Sequence, residues 1–258
     1  MKIRILGCGT SSGVPRIGND WGVCDPAEPR NRRTRASILV STATTRILID
    51  TGPDMREQLL AADVADVDAV IWTHDHADHC HGIDDLRQLY HARGRPVRGL
   101  ARPETLASLT ERFAYAFNGR DGYPPTVAGE DLPDRIEIGD IAVTVVDQPH
   151  GSITSAGLVF ETADGRASAG YSTDFNEMTP EMAILYQRLD LWVVDALRAK
   201  PHPTHPHLDR TLGWIAEFAP RRAVLTHMDQ SMDYATLARA LPAGVEPGHD
   251  GMEIVIDG

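Results

Sequence analysis

Six consecutive positions, His74-Asp75-His76-Ala77-Asp78-His79, bring three imidazoles together with the carboxylate of Asp78. They follow the run Val67-Asp68-Ala69-Val70-Ile71-Trp72, which is short, partly β-branched and ended by polar residues. Such a run reads as a buried strand delivering a loop. Side chains alternate along an extended chain, so His74 and His76 point to one side and can hold one metal ion together. Asp78 and His79 fall where the chain turns into a helix, face another direction and can hold a second ion. Neutral imidazole and carboxylate suit zinc or a related divalent metal. The competing reading, a solvated loop rich in histidine, does not account for ordered spacing directly after a strand.

Two ions need more ligands than this cluster supplies, and other strand ends offer them. His150 follows the β-prone run that begins at Ile141, Asp174 closes Ala169-Gly170-Tyr171-Ser172-Thr173, and His227 ends Ala223-Val224-Leu225-Thr226. Strand ends are where sheet proteins collect functional groups. Taken singly, each of the three reads more readily as structural; their shared placement beside the opening cluster favours ligation.

The elements that must position these residues alternate along the chain. Strands are expected over 3–6, 36–41, 46–50, 69–73, 141–146, 157–162, 166–172, 191–195, 222–226 and 252–256, and amphipathic helices over 55–62, 84–92, 103–117, 181–187, 208–218 and 234–240. Pro103 and Asp233 are helix-start signals. Hairpin-like spacing early and strand–helix alternation later predict an α/β (α+β) fold in one domain, 1–258, with two sheets packed on each other and helices outside. Residues 118–125 read as a surface loop.

Composition narrows the function. The chain has 258 residues, 42% hydrophobic and 24% charged, ordinary values for a globular protein. Three scattered cysteines, Cys8, Cys24 and Cys80, argue against a disulfide framework and for a reducing compartment. The N-terminus reaches Gly7 too soon for a signal peptide, and no stretch approaches the roughly 18 apolar residues of a membrane helix. A soluble, cytoplasmic protein is expected. A formal net charge of −12 disfavours extended nucleic acid, since an acidic surface repels a polyphosphate backbone. The basic cluster Arg30, Arg32, Arg33 and Arg35 reads either as a solvated loop or as a positive wall near a phosphate-bearing substrate.

The ordered ligands resemble those of the metallo-β-lactamase superfamily, whose pattern His-x-His-x-Asp-His, then His, Asp and His falls on His74, His76, Asp78, His79, His150, Asp174 and His227. The resemblance extends to the strand end Leu48-Ile49-Asp50-Thr51-Gly52. It implies a four-layer αββα sandwich, two mixed sheets with outer helices, and a dinuclear site between the sheets. By that analogy His74, His76 and His150 hold the first metal, Asp78, His79 and His227 hold the second, and Asp174 bridges them. Two divalent ions are implied, zinc first and manganese second.

Within the superfamily the chain is most similar to the phosphoribosyl 1,2-cyclic phosphate phosphodiesterases, the PhnP-like branch related to tRNase Z. The similarity rests on Leu6-Gly7-Cys8-Gly9-Thr10-Ser11-Ser12-Gly13-Val14-Pro15, on Gly82-Ile83-Asp84-Asp85-Leu86-Arg87, and on His205, 22 residues before His227. In that branch a histidine near this place assists phosphodiester cleavage, so His205 and Asp78 are the expected catalytic residues. Only 23 residues separate His150 from Asp174, leaving no room for a tRNA-gripping arm. One cysteine in 21–26 gives no basis for a structural zinc. Glycines 7, 9 and 13 suit either a tight turn or close approach of backbone amides to a phosphate. His202 and His207, in the proline-stiffened stretch around His205, suit an inert loop.

The expected activity is cleavage of a small anionic phosphodiester, a cyclic phosphate or nucleotide-type substrate, by a hydroxide bridging two metals. The expected partners are that substrate and, at most, a second copy of the chain as a homodimer. The alternatives are a thioester or lactone hydrolase of the same fold and a non-catalytic metal-binding protein.

Overall fold

Residues 1–256, the span described by the computed structural model, form two seven-stranded sheets. The strands are Lys2–Gly7 (β1), Ser37–Ser41 (β2), Arg46–Ile49 (β3), Ala69–Ile71 (β4), Val97–Ala101 (β5), Val127–Asp131 (β6), Arg135–Ile138 (β7), Ile141–His150 (β8), Ile153–Thr162 (β9), Ser168–Ser172 (β10), Leu191–Asp195 (β11), Ala223–Thr226 (β12), Val245–Pro247 (β13) and Glu253–Val255 (β14). The first sheet runs β14-β1-β2-β3-β4-β5-β6 and the second β13-β12-β11-β10-β9-β8-β7. Each is mixed. Pairs are antiparallel from β14 to β3 and from β7 to β10, and parallel from β3 to β6 and from β10 to β13.

Parallel neighbours cannot be joined by a tight turn, so the parallel halves carry the crossover helices. Met55–Ala62 links β3 to β4, Leu86–Arg93 links β4 to β5, and Leu208–Phe218 links β11 to β12. Alternation along the strands then fills two apolar layers. Ile38, Val40, Ile47, Ile49 and Ile71 point into the core shared with Val143, Val145, Leu158 and Phe160 of the second sheet. Leu39, Leu48, Val70 and Trp72 point the other way and pack under Met55, Leu59, Leu86 and Leu109 of the outer helices. The strands therefore read as unbroken apolar runs because both faces are covered.

The sandwich is the one expected, with helices Met55–Ala62, Leu208–Phe218 and Tyr234–Ala240 at the expected bounds. Other elements differ, and β5, β6, β7 and β13 were not among the expected strands. The helix expected over 103–117 breaks at Phe113 into Pro103–Arg112 and Ala114–Asn118. The helix expected over 84–92 begins as a 3-10 turn, Ile83–Asp85, before Leu86–Arg93. β8 and β9 run past their apolar patterns to meet at a two-residue turn, so His150 closes β8.

Candidate metal centre

Parallel strands deliver their carboxyl ends to one edge of the sandwich, and the candidate residues gather there. His74 follows β4, while Asp78 and His79 sit in the single-turn helix Ala77–Cys80. Asp174 follows β10, Asp195 closes β11 and His227 follows β12. Three of the contributing positions leave their strand in the left-handed region: Asp50 (φ 65°), Asp174 (φ 57°) and His227 (φ 57°). Asp and His enter that region more readily than most residues, yet it costs roughly 1–2 kcal/mol. Strained backbone of this kind concentrates at functional sites, where it turns the side chain off the sheet.

All seven sequence-predicted ligands converge. His74, His76, His150 and Asp174 form one group able to hold a metal ion, and Asp78, His79 and His227 form a second. His76 Nδ1 lies 3.0 Å from His74 Nε2 and 3.3 Å from His150 Nε2. Ligand nitrogens about 2.0 Å from one tetrahedral ion would stand about 3.3 Å apart. The two oxygens of Asp174 divide between the groups. Oδ1 is 3.9 Å from His74 Nε2 and 3.6 Å from His150 Nε2, whereas Oδ2 is 3.2 Å from His79 Nε2 and 3.5 Å from His227 Nε2. Asp78 Oδ2 closes the second group, 3.4 Å from His79 Nε2 and 3.6 Å from His227 Nε2.

Residues behind the cluster aim these nitrogens. His79 Nδ1 donates to Asp50 Oδ2 at 2.8 Å, and His150 Nδ1 donates to the Thr204 carbonyl at 3.0 Å. Each contact fixes the tautomer that leaves Nε2 bare and facing inward, the arrangement that orients histidine toward a metal. Thr73 Oγ1 lies 3.0 Å from His74 Nδ1 and also donates to Asp50, tying two of the histidines to one buried carboxylate.

Electrostatics give the same answer. Burial pushes the Asp174 carboxyl up, but the imidazoles of His227, His79 and His74 outweigh it and hold it well below the usual range. Burial pulls His227 down, yet the carboxylates of Asp174, Asp78 and Asp195 lift it to about 9. His79 is raised in the same way by Asp174, Asp78 and Asp50. The carboxylates thus demand positive charge that neutral imidazole does not supply. Both ring nitrogens of His227 and Nε2 of His79 are buried without a hydrogen-bond partner. Unpaired buried polar atoms are costly, and metal ions satisfy these atoms and the carboxylates together. The residues fit divalent metal.

Beside the two groups stands His205. Its Nδ1 donates to Asp195 Oδ2 at 2.9 Å and its Nε2 lies 3.9 Å from Asp174 Oδ1. Asp195 is wholly buried and also accepts the amide of Asp174 at 3.0 Å. His205 lines a cavity of about 290 Å³ with His76, Asp78, His150, Asp174 and His227. Asp195, Asp50 and Thr73 were not singled out in the sequence as site residues. Asp195 carries the signal that exposed Asp174, a carboxylate directly after a buried β run.

Other residues singled out in the sequence stand elsewhere. The arginines do not form a positive wall. Arg30 pairs with Glu28 and covers Tyr234, Arg35 pairs with Asp54, and buried Arg33 donates to the carbonyls of Asp229 and Met232. His202 packs against His205 with ring centroids 5.2 Å apart, and His207 stands at the N-terminal boundary of the helix Leu208–Phe218 without a side-chain capping bond.

Residues 45–228 match the family described as the beta-lactamase superfamily domain. The chain belongs to that superfamily. Among solved structures, a diphosphatase from the PhnP family is 35% identical with a TM-score of 0.89, covering 98% of this chain and 96% of that one. An octanoyltransferase of Porphyromonas gingivalis is 32% identical over 263 residues, covering 100% of this chain and 52% of that protein. A ribonuclease Z of Methanopyrus kandleri is 31% identical over 131 residues, covering 48% of this chain and 43% of that protein. The chain spans about half the length of the curated relatives it matches. The metallo-β-lactamase fold implies divalent metal, which this donor set is able to hold, and none of the helices described in this member is long and apolar enough to cross a membrane.

Proposed function

We propose that this hydrolase of the metallo-β-lactamase fold cleaves small phosphodiesters at a dinuclear centre held by His74, His76, His150, Asp78, His79 and His227, with Asp174 between the ions. The observation that carries the phosphodiester reading is the Asp195–His205 pair, aimed at Asp174 from within the metal-ligand cavity. Divalent metal held by these residues would supply Lewis acidity there, lowering the pKa of water toward neutrality and offsetting charge on the phosphoryl oxygens. Asp195 keeps the proton of His205 on Nδ1, so Nε2 is the atom that carries a second proton toward the departing alkoxide. A leaving alkoxide needs such an acid, whereas a thiolate leaves without one.

A small substrate is supported by the 290 Å³ cavity, near the lower end for ligand sites, and by the two-residue turn between β8 and β9. The diphosphatase relative keeps phosphoanhydrides within the proposed class. Zinc is the proposed metal, and a cytoplasmic location the proposed setting. The test is a panel on metal-loaded protein: bis-p-nitrophenyl phosphate, cyclic nucleotides, a diphosphate ester, acyl-glutathione, an octanoyl thioester and lactones. Phosphoryl substrates should exceed the acyl ones at least about tenfold in kcat/KM. A preference for a thioester or lactone would overturn the reading.

A further inference from the structure

We infer that the turn Thr10-Ser11-Ser12-Gly13 is an anion-binding element of this cavity, with Ser11 holding a phosphate oxygen of the substrate. The inference rests on the phosphodiesterase reading above. Ser11 lines the same cavity as His76, Asp78, His205 and His227. The turn is closed by Gly13 N–H donating to the Thr10 carbonyl at 2.8 Å. Neither Ser11 nor Ser12 has positive φ, which excludes the turn types that require it and leaves a type I geometry. Among the described residues, the amides of Ser11 and Ser12 and the hydroxyl of Ser11 make no hydrogen bond, and both serines are exposed. Successive unpaired amides at a turn make a concavity that suits an anion.

The turn is also held still. Gly9 N–H donates to the Thr34 carbonyl at 2.8 Å, Thr10 N–H to the Met228 carbonyl at 3.3 Å, and Met228 N–H to the Cys8 carbonyl at 2.9 Å. Met228 directly follows His227, so the serines are fixed relative to a candidate ligand. The glycines do the packing: a Cβ on Gly9 would lie 2.9 Å from the Thr34 carbonyl oxygen, and Gly13 has φ 65°. No lysine or arginine is among the residues lining the cavity. Besides the imidazoles, the donors that line the cavity are thus neutral, and the nearest guanidinium, that of Arg35, packs against Gly13 at the end of the turn.

The experiment compares the metal-loaded parent with Ser11→Ala and Ser11→Pro. Proline suits the second position of a type I turn and removes the amide as well as the hydroxyl. Inorganic phosphate binding is measured by calorimetry, alongside kinetics, metal content and Tm. Ser11→Ala should weaken phosphate and raise KM by about tenfold, the usual size of a lost hydrogen bond to a charged group, with kcat within about twofold. Ser11→Pro should weaken both further. A loss on both bis-p-nitrophenyl phosphate and a dinucleoside diphosphate assigns the contact to the scissile phosphoryl group, and a loss on the diphosphate alone assigns it to a neighbouring phosphate. Unchanged phosphate affinity and KM in both variants, with parental Tm and metal content, would overturn the inference while leaving the phosphodiesterase reading intact. If the parent hydrolyses no phosphodiester, that reading falls, and the phosphate titrations still decide the role of Ser11.

Discussion

Asp50 and His79 are both wholly buried and meet at 2.8 Å, carboxylate oxygen to ring Nδ1, although one directly follows β3 and the other lies in a helix beyond β4. The contact leaves the imidazole one productive orientation. Asp50→Asn preserves the shape but turns a strong acceptor into a mixed donor and acceptor. Metal affinity should drop about 10- to 100-fold, read by competition with a chromogenic chelator. Parental affinity would mean that His79 is oriented by something else.

The Asp195–His205 pair makes a different prediction. Asp195→Asn and His205→Ala should each lose at least about tenfold in turnover while retaining metal, because the first disturbs the tautomer and the second removes the acid. The double variant should be little worse than the poorer single one, since the two groups act as a unit. Additive losses would separate their roles.

Asp174 should behave in the opposite way. Its replacement by Ala removes the carboxylate that both groups share, so elemental analysis should find metal depleted in the purified protein. Chelation of the parent should lower Tm, because ligands that bind only the folded chain stabilise it by about 4 kcal/mol at a thousandfold excess over Kd. A Tm indifferent to chelator would contradict resident metal.

Away from the centre, Asp250 offers a pH test. Burial pushes its carboxyl up to about 6, despite bonds from the amides of Thr34 and Cys8. A carboxyl raised on folding favours the protonated native state. Its contribution is therefore fully present below about pH 4 and lost as pH rises through about 6, a span worth roughly 3 kcal/mol. Urea unfolding from pH 4 to 7 should show this slope in the parent and a flatter one in Asp250→Asn. Parallel curves would refute the shift.

How far the sequence spoke depended on what each residue faces. The candidate cluster was legible because a metal would demand particular side chains at strand ends, β2 to β4 because their apolar runs are buried, and β1 because buried Ile3 and Ile5 alternate with half-buried Lys2 and Arg4. β6 was hidden because four of its five residues are exposed, and β13 because it is three residues long and includes Pro247. β8 outran its pattern at Asp147-Gln148-Pro149, where Gln148 is buried but satisfied by Ser155, Thr173 and Tyr186, a network that alternation does not reveal. Asp50 and Asp195 were equally quiet. Their worth lies in contacts between elements far apart in the chain.

The division of the ligand set between the sheets has a mechanical consequence. His74, His76, Asp78 and His79 travel with the first sheet, and His150, Asp174 and His227 with the second. The apolar seam between the sheets is then a spacer that gauges the centre, and ions held there would rivet its two leaves. A methyl group added to or pared from that seam, far from any substrate, reaches the reaction as a change in the gap across which Asp174 stretches.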